Sequence, residues 1–160
     1  MDNFNFYLNT LYKLANQAIK VNELPISAII VDPKTKKIVA KAHNQTIRKK
    51  NPLAHAELLV IEKSLKKLKR KRLDELDIYC SLEPCAMCSA ALALAKIRRV
   101  YFCVEDKKGG GFINGAKIAT LKQLNHKFSY YYGFDELRFL SVLKNFFKSK
   151  RSRSKHDYRS

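Results

Sequence analysis

The chain has no apolar run approaching a membrane span, and Met1-Asp2-Asn3 lacks the basic and apolar regions of a secretory signal. Both absences point to a cytoplasmic protein without membrane attachment. Cysteine is scarce: Cys85 and Cys88 stand in a C-x-x-C spacing, while Cys80 and Cys103 stand alone and read as small buried residues beside strands. A zinc ribbon needs a second C-x-x-C, so that reading has no partner, and the usage suits a reducing compartment in which thiolates stay available. There is no internal repeat. Gly109-Gly110-Gly111 lacks the following Lys and Ser or Thr of a Walker phosphate loop. Acidic residues are few, 14 against 32 Lys and Arg, for a net charge of +18.

With 160 residues and 46% apolar composition, the chain has enough material for one buried core and too little for two ordinary domains. The positive excess is local. Residues 34–50 carry seven Lys or Arg and no acid, and residues 62–72 and 144–160 carry seven each with one acid. Clustered charge of this kind suits a polyanion, because each neutralised phosphate releases condensed counterions. On Lys63 to Arg72 the run reads as the solvated face of a helix. At the C-terminus it reads as a nucleic-acid contact.

Phe4, Leu8, Leu11, Tyr12, Ala15, Ala18 and Ile19 predict an amphipathic helix over about 4–20, ended by Glu23-Leu24-Pro25. Residues 26–31 and 37–42 predict an antiparallel hairpin around Asp32-Pro33-Lys34-Thr35. Pro52 is expected in the first turn of a second helix that carries Leu58, Leu59, Ile61, Leu65 and Leu68. A strand over 78–81, a helix opened by Pro84 and running to Ala95, and a strand over 99–104 follow. The resulting β-α-β-α-β order calls for right-handed crossovers and parallel pairing in a layered α/β domain. Gly109-Gly110-Gly111 and Asn114-Gly115 read as a flexible connection, followed by a short helix over 116–124, a strand over 128–132 and a last helix to about 148. The segment after it has no core-forming pattern and reads as a mobile tail.

The chemistry lies in His55-Ala56-Glu57 and Pro84-Cys85-Ala86-Met87-Cys88. Either half alone is weak: a C-x-x-C can be a redox pair, but that leaves His55, Glu57 and Pro84 without a role. Together they match the H-x-E…P-C-x-x-C pattern of zinc nucleobase deaminases. One His and two Cys supply three of the four ligands of tetrahedral zinc, which leaves the open position of a catalytic site. Cysteines at a helix start have backbone N–H groups and the positive end of the macrodipole nearby, which favours thiolate. Glu57 is expected beside the open position as a proton carrier. Met87 reads as core packing.

Further strings run in the same order as in one family: Glu23-Leu24-Pro25-Ile26-Ser27-Ala28, His43-Asn44, Asn51-Pro52-Leu53-Ala54-His55-Ala56-Glu57, Ser81-Leu82-Glu83-Pro84-Cys85-Ala86-Met87-Cys88, Lys96-Ile97-Arg98-Arg99-Val100, Asn125-His126 and Phe146-Phe147-Lys148. Over about residues 4–150 the chain resembles the bacterial tRNA-specific adenosine deaminases of the cytidine/deoxycytidylate deaminase superfamily. The resemblance implies a three-layer α/β/α cytidine-deaminase-like fold with a five-stranded mixed sheet. It places a zinc-dependent deaminase domain at 1–150 and a basic tail at 151–160. It also implies one Zn2+ per subunit on His55, Cys85 and Cys88, Glu57 as the catalytic residue, and a homodimer that builds each RNA site from both subunits.

The activity so implied is hydrolytic deamination of adenosine to inosine at the tRNA wobble position, with the anticodon stem-loop as partner. Asn44 matches a contact to the target nucleotide, Asp106 a position near the anticodon ribose, and Phe146, Phe147, Lys148 and Arg151 a stretch that holds the anticodon loop. Read without the family, Asn44 is a turn residue, Asp106 a loop charge and Phe146-Phe147 core. Ser27 stands where the family commonly has Gly, and Glu105 where a basic residue is common. Two other readings stay open: a guanine, cytosine or nucleoside deaminase of the same fold, and a noncatalytic zinc-bound RNA-binding subunit. The basic tail, Asn44 and Phe146-Phe147 favour RNA over a free base, and Glu57 speaks for catalysis.

Overall fold

The computed structural model describes residues 2–157, with side chains for 3–152. Helix α1 (Asp2–Lys20) leads into strands β1 (Ser27–Asp32) and β2 (Lys37–His43) and helix α2 (Ala56–Leu68). Then come β3 (Asp77–Leu82), α3 (Ala86–Leu94), β4 (Arg99–Val104), β5 (Ser129–Tyr132) and α4 (Glu136–Asp157). Among the described residues no helix is long and apolar enough to cross a membrane.

The strands form one mixed sheet in the order β2-β1-β3-β4-β5. β1 runs antiparallel to β2 and to β3, whereas β3 pairs parallel with β4 and β4 with β5. β2, β3 and β4 therefore share one direction, as the β-α-β-α-β order predicts, but β2 and β3 are not neighbours. The tight hairpin seats β1 beside β2, and the crossover through α2 passes over β1 before β3 is laid down.

Alternation along the strands builds two cores. Ala28, Ile30, Ile78, Cys80, Val100 and Phe102 face α2 and α3. Ile29, Val31, Tyr79 and Cys103 face α1 and α4. Strands buried on both faces need a near-continuous apolar run, and residues 28–31 supply one. The parallel register sets Tyr79 opposite Tyr101 and Tyr101 opposite Tyr131, and their rings stack at 4.4 and 5.2 Å between centroids. Cys80 and Cys103 are buried strand residues, and burial pushes both thiols up, Cys103 to about 12.

Several family strings hold this frame together. The Ser27 hydroxyl donates to the Leu11 carbonyl (2.8 Å) and the Ser27 N–H to Ser81 Oγ (2.9 Å), which staples α1 and β3 to β1. Arg98 clamps the buried Asp77 carboxylate through Nε (2.8 Å) and Nη2 (2.7 Å) at the start of β3 and β4. His126 reaches the Ile97 carbonyl.

Four local expectations are corrected. Pro52 lies in a turn ahead of α2, which begins at Ala56 with His55 as its N-cap. Pro84 likewise precedes α3, whose N-cap is Cys85. The helix expected over 116–124 is a single 3-10 turn, Ile118–Thr120, interrupted by the positive-φ residue Lys117. α4 continues to Asp157, past the end of its apolar stripe, because a helix satisfies its own backbone without a core face. Tail residues 158–160 and the Arg153 side chain lie outside the described residues.

Candidate active site

The site forms at the carboxyl end of β3, where the starts of two helices meet. His55 caps α2 with an extended backbone (φ −69°, ψ 149°), and Glu57 sits in the first turn behind it. Cys85 caps α3, with φ −68° and ψ 174°, and Cys88 follows one turn on. Residues three apart share a helix face, so both sulfurs are offered together. No acid occupies the first turn of α3, which leaves its positive end directed at the thiols.

The ligating atoms of His55, Cys85 and Cys88 all lie within 4.8 Å of one another. His55 Nδ1 is 3.7 Å from each sulfur. Zn–S of ~2.3 Å and Zn–N of ~2.0 Å at tetrahedral angles place sulfur and nitrogen about 3.6 Å apart. The soft donor set and its spacing therefore fit zinc. Glu57 stands outside that set of three: it is buried, and Cys88 Sγ donates to its Oε2 across 3.7 Å.

Packed this closely, the groups bias one another. The neighbouring Cys88 side chain, first, and then His55 lower the Cys85 pKa to about 4 despite burial. Cys88 moves up, first because of the adjacent Cys85 sulfur and then because it is buried. The hydrogen bond to Cys85 raises His55. Burial pushes the Glu57 carboxyl up to about 7.

Asn44 is buried just past the end of β2, where its N–H donates to the Ile26 carbonyl and its side-chain amide to Thr46 Oγ1 (3.2 Å). Gln45 N–H donates to the Ala54 carbonyl, so this segment is tied to the one that delivers His55. Asp106 follows β4 and accepts the Lys108 and Gly109 amides on Oδ1 (3.1 and 2.9 Å). On α4, Phe146 is buried beneath Lys150, so of the aromatic pair Phe147 is the ring that faces solvent, half exposed. Lys148 and Arg151 are exposed.

Two buried carboxylates to which sequence reasoning assigned no role hold the loops that flank the site. Glu23 Oε1 accepts the Arg48 amide (2.7 Å) and fixes the segment between β2 and α2. Glu83 accepts the amides of Phe112, Ile113 and Asn114 on Oε1 (3.1, 2.9 and 3.0 Å), and the Asp106 amide (3.0 Å) and Asn114 Nδ2 (2.8 Å) on Oε2. Burial alone raises its pKa, but the Asn114 side chain and the surrounding amides outweigh that and hold it below the usual carboxylate value.

The Gly-rich connection read as flexible is in fact packed against these groups. A Cβ on Gly110 would stand 2.4 Å from Glu83 Oε1, and one on Gly111 would stand 2.3 Å from Ser89 Oγ and 2.8 Å from the Cys85 carbonyl. Gly111 N–H also donates to the Pro84 carbonyl (2.8 Å). The glycines are there for close approach, and that demand was the available signal for Glu83. Glu105 accepts from Asn114 Nδ2 (3.2 Å), which gives it a place in the same loop. Glu83→Gln turns an NH2 toward backbone N–H groups that donate to this carboxylate. It is expected to cost about 1–3 kcal/mol and to speed amide exchange across 106–114. Exchange rates and thermal stability equal to wild type would reject this.

A sequence model of the MafB19-like deaminase family matches residues 1–151. A tRNA-specific adenosine deaminase of Aquifex aeolicus (strain VF5) is 39% identical over 92% of this chain and 95% of its own length. A solved structure from work on A-to-I editing by tRNA:A34 deaminases at the wobble position superposes with a TM-score of 0.83 and 32% identity, covering 87% of this chain and 99% of that one. A guanine deaminase of Nitrosomonas europaea has a TM-score of 0.76, covers 88% of this chain and 82% of its own, and at 16% identity shares the fold alone.

Proposed function

The chain belongs to the tRNA-specific adenosine deaminases, and on that premise we propose that it converts adenosine to inosine at wobble position 34 of tRNA, as the editing deaminases it resembles are described as doing. The observation that supports this best is the convergence of His55, Cys85 and Cys88 with a buried carboxylate, Glu57, beside them. His55, Cys85 and Cys88 would hold one Zn2+ per subunit. Bound there, zinc supplies a Lewis acid that brings the pKa of water to about 7.

Glu57 carries the protons. A water oxygen adds to C6 of the purine while Glu57 takes one water proton and delivers it to N1. Glu57 then passes the hydroxyl proton to the amino nitrogen, the C6–N bond breaks, and ammonia leaves behind the C6 carbonyl and N1–H of inosine. Backbone beside Ala56 and Cys85 would position the base. Asn44 would contact the target nucleotide and Asp106 the neighbouring ribose. A loop base is cheaper to extrude than a paired one, which suits an anticodon-loop substrate.

Phe147, Lys148 and Arg151 would hold that loop, with Phe146 seating the helix that presents them. A homodimer completes this reading, supported by exposed apolar side chains at Leu53 and Leu94. The test is incubation with an anticodon stem-loop bearing adenosine at the wobble position. Inosine is expected by mass spectrometry, from a protein that sediments as a dimer. Neutralising Lys148 and Arg151 should weaken binding and flatten its log–log salt dependence by roughly 0.7 per lost phosphate contact. Deamination of free guanine or cytosine without inosine formation would overturn the proposal.

A further inference from the structure

The lysines of two basic runs, 34–50 and 62–72, have no part in the active site, and the fold brings the runs together. β2 is an edge strand, so among the described residues its outer carbonyls have no strand partner. Lys63 Nζ donates to the Lys41 carbonyl (3.2 Å) and Lys67 Nζ to the Val39 carbonyl (2.9 Å), which lays the basic face of α2 along the basic edge of the sheet. Beside it runs an open groove of about 570 Å³ whose lining includes Lys36, Lys37, Lys41 and Lys67 together with Phe6 of α1. Among the described residues, no acidic side chain lines it. The Phe6 ring is 57% exposed and is steadied edge-on by Tyr7, 6.1 Å away.

We propose that this groove binds an unpaired segment of RNA that continues from the active site. Ammonium groups along a groove track phosphates, and an exposed ring offers a stacking surface to any base. A duplex keeps its bases stacked inside, out of reach of Phe6. A β-strand from a protein partner would need the edge carbonyls at Val39 and Lys41, which the α2 lysines already cap. Each of those lysines keeps further N–H donors and its full charge for a phosphate. Lys34 is left out because it pairs with Glu75 (3.1 Å). Lys41 precedes Asn44 by three residues of extended chain, roughly 10 Å, so a strand whose target base lies beside Asn44 can reach the groove at its Lys41 end.

The inference goes beyond the deaminase reading, and the test separates the two. The probe is a 12-nucleotide oligouridylate, which contains no adenosine to deaminate, titrated by fluorescence anisotropy across a salt series. Phe6→Ala should lower affinity by about 5-fold or more at every salt concentration with the slope unchanged, because stacking is not ionic. Lys36→Gln with Lys37→Gln and Lys41→Gln should reduce the slope by roughly 0.7 per phosphate contact. Circular dichroism confirms that the variants are folded. Wild-type affinity and slope in both variants would overturn the proposal. So would selective loss of binding to anionic phosphatidylserine vesicles, which marks a membrane surface, or new self-association in the lysine variant, which assigns the lysines to guarding the sheet edge. Wild-type protein that binds oligouridylate as described but forms no inosine would refute the deaminase reading and support the groove.

Discussion

Glu57→Ala and Glu57→Gln are expected to retain zinc, dimerisation and RNA binding while turnover falls by about 10²–10⁴, the usual contribution of a positioned acid–base group. The substitutions remove a proton carrier and leave the three ligands in place. Stability separates this role from a structural one. Glu57 is a buried carboxylate with a weak sulfur donor as its side-chain partner, and a charge so placed costs stability. Glu57→Gln keeps the shape without the charge, so its Tm should equal or exceed that of wild type even as activity collapses. A lowered Tm with activity within about tenfold of wild type, against the loss expected, would show that Glu57 serves packing.

Cys88→Ala should lose both metal and much of the fold. Cys88 is fully buried where α2 and α3 meet, and a metal held by His55 from one helix and two sulfurs from the other ties them together. A ligand that binds only the folded state stabilises it by mass action, so a chelator added to wild-type protein should reproduce the fall in Tm. Cys103→Ala is the control: its thiol lies in the core between the sheet and the α1 and α4 helices, and zinc content should stay at one per chain. Stoichiometric zinc in purified Cys88→Ala, measured by atomic absorption, would disprove the ligand assignment.

The cluster of His55, Cys85 and Cys88, with Glu57 beside it, was legible because the spacing within each half is local. His55 and Glu57 are two apart, Cys85 and Cys88 are three apart, and each pair sits at a helix start, where short-range geometry alone fixes how the side chains project. The β1–β2 hairpin was legible for the same reason, since its turn chemistry and its alternation lie within one stretch of chain. The loops were not. Gly109 to Gly111 has the composition of a flexible linker, and only its approach to Glu83, Ser89 and the Cys85 carbonyl shows why side chains are excluded there.

Composition and spacing therefore determined the chemical inventory: a His and two Cys that could hold a metal, a carboxylate close behind the His, an apolar core for one α/β domain and an excess of positive charge. Tertiary structure decided what depends on distant segments meeting. It inserted β1 antiparallel between two strands of like direction, because hairpin closure places β1 beside β2 before the crossover returns. It buried Phe146 while leaving Phe147 half exposed, a distinction set by the surface against which α4 packs. It brought residues 34–50 against residues 62–72 along one sheet edge. A side chain's type states what it can bind or donate, but whether it faces water, another helix or a neighbouring loop depends on residues tens of positions away.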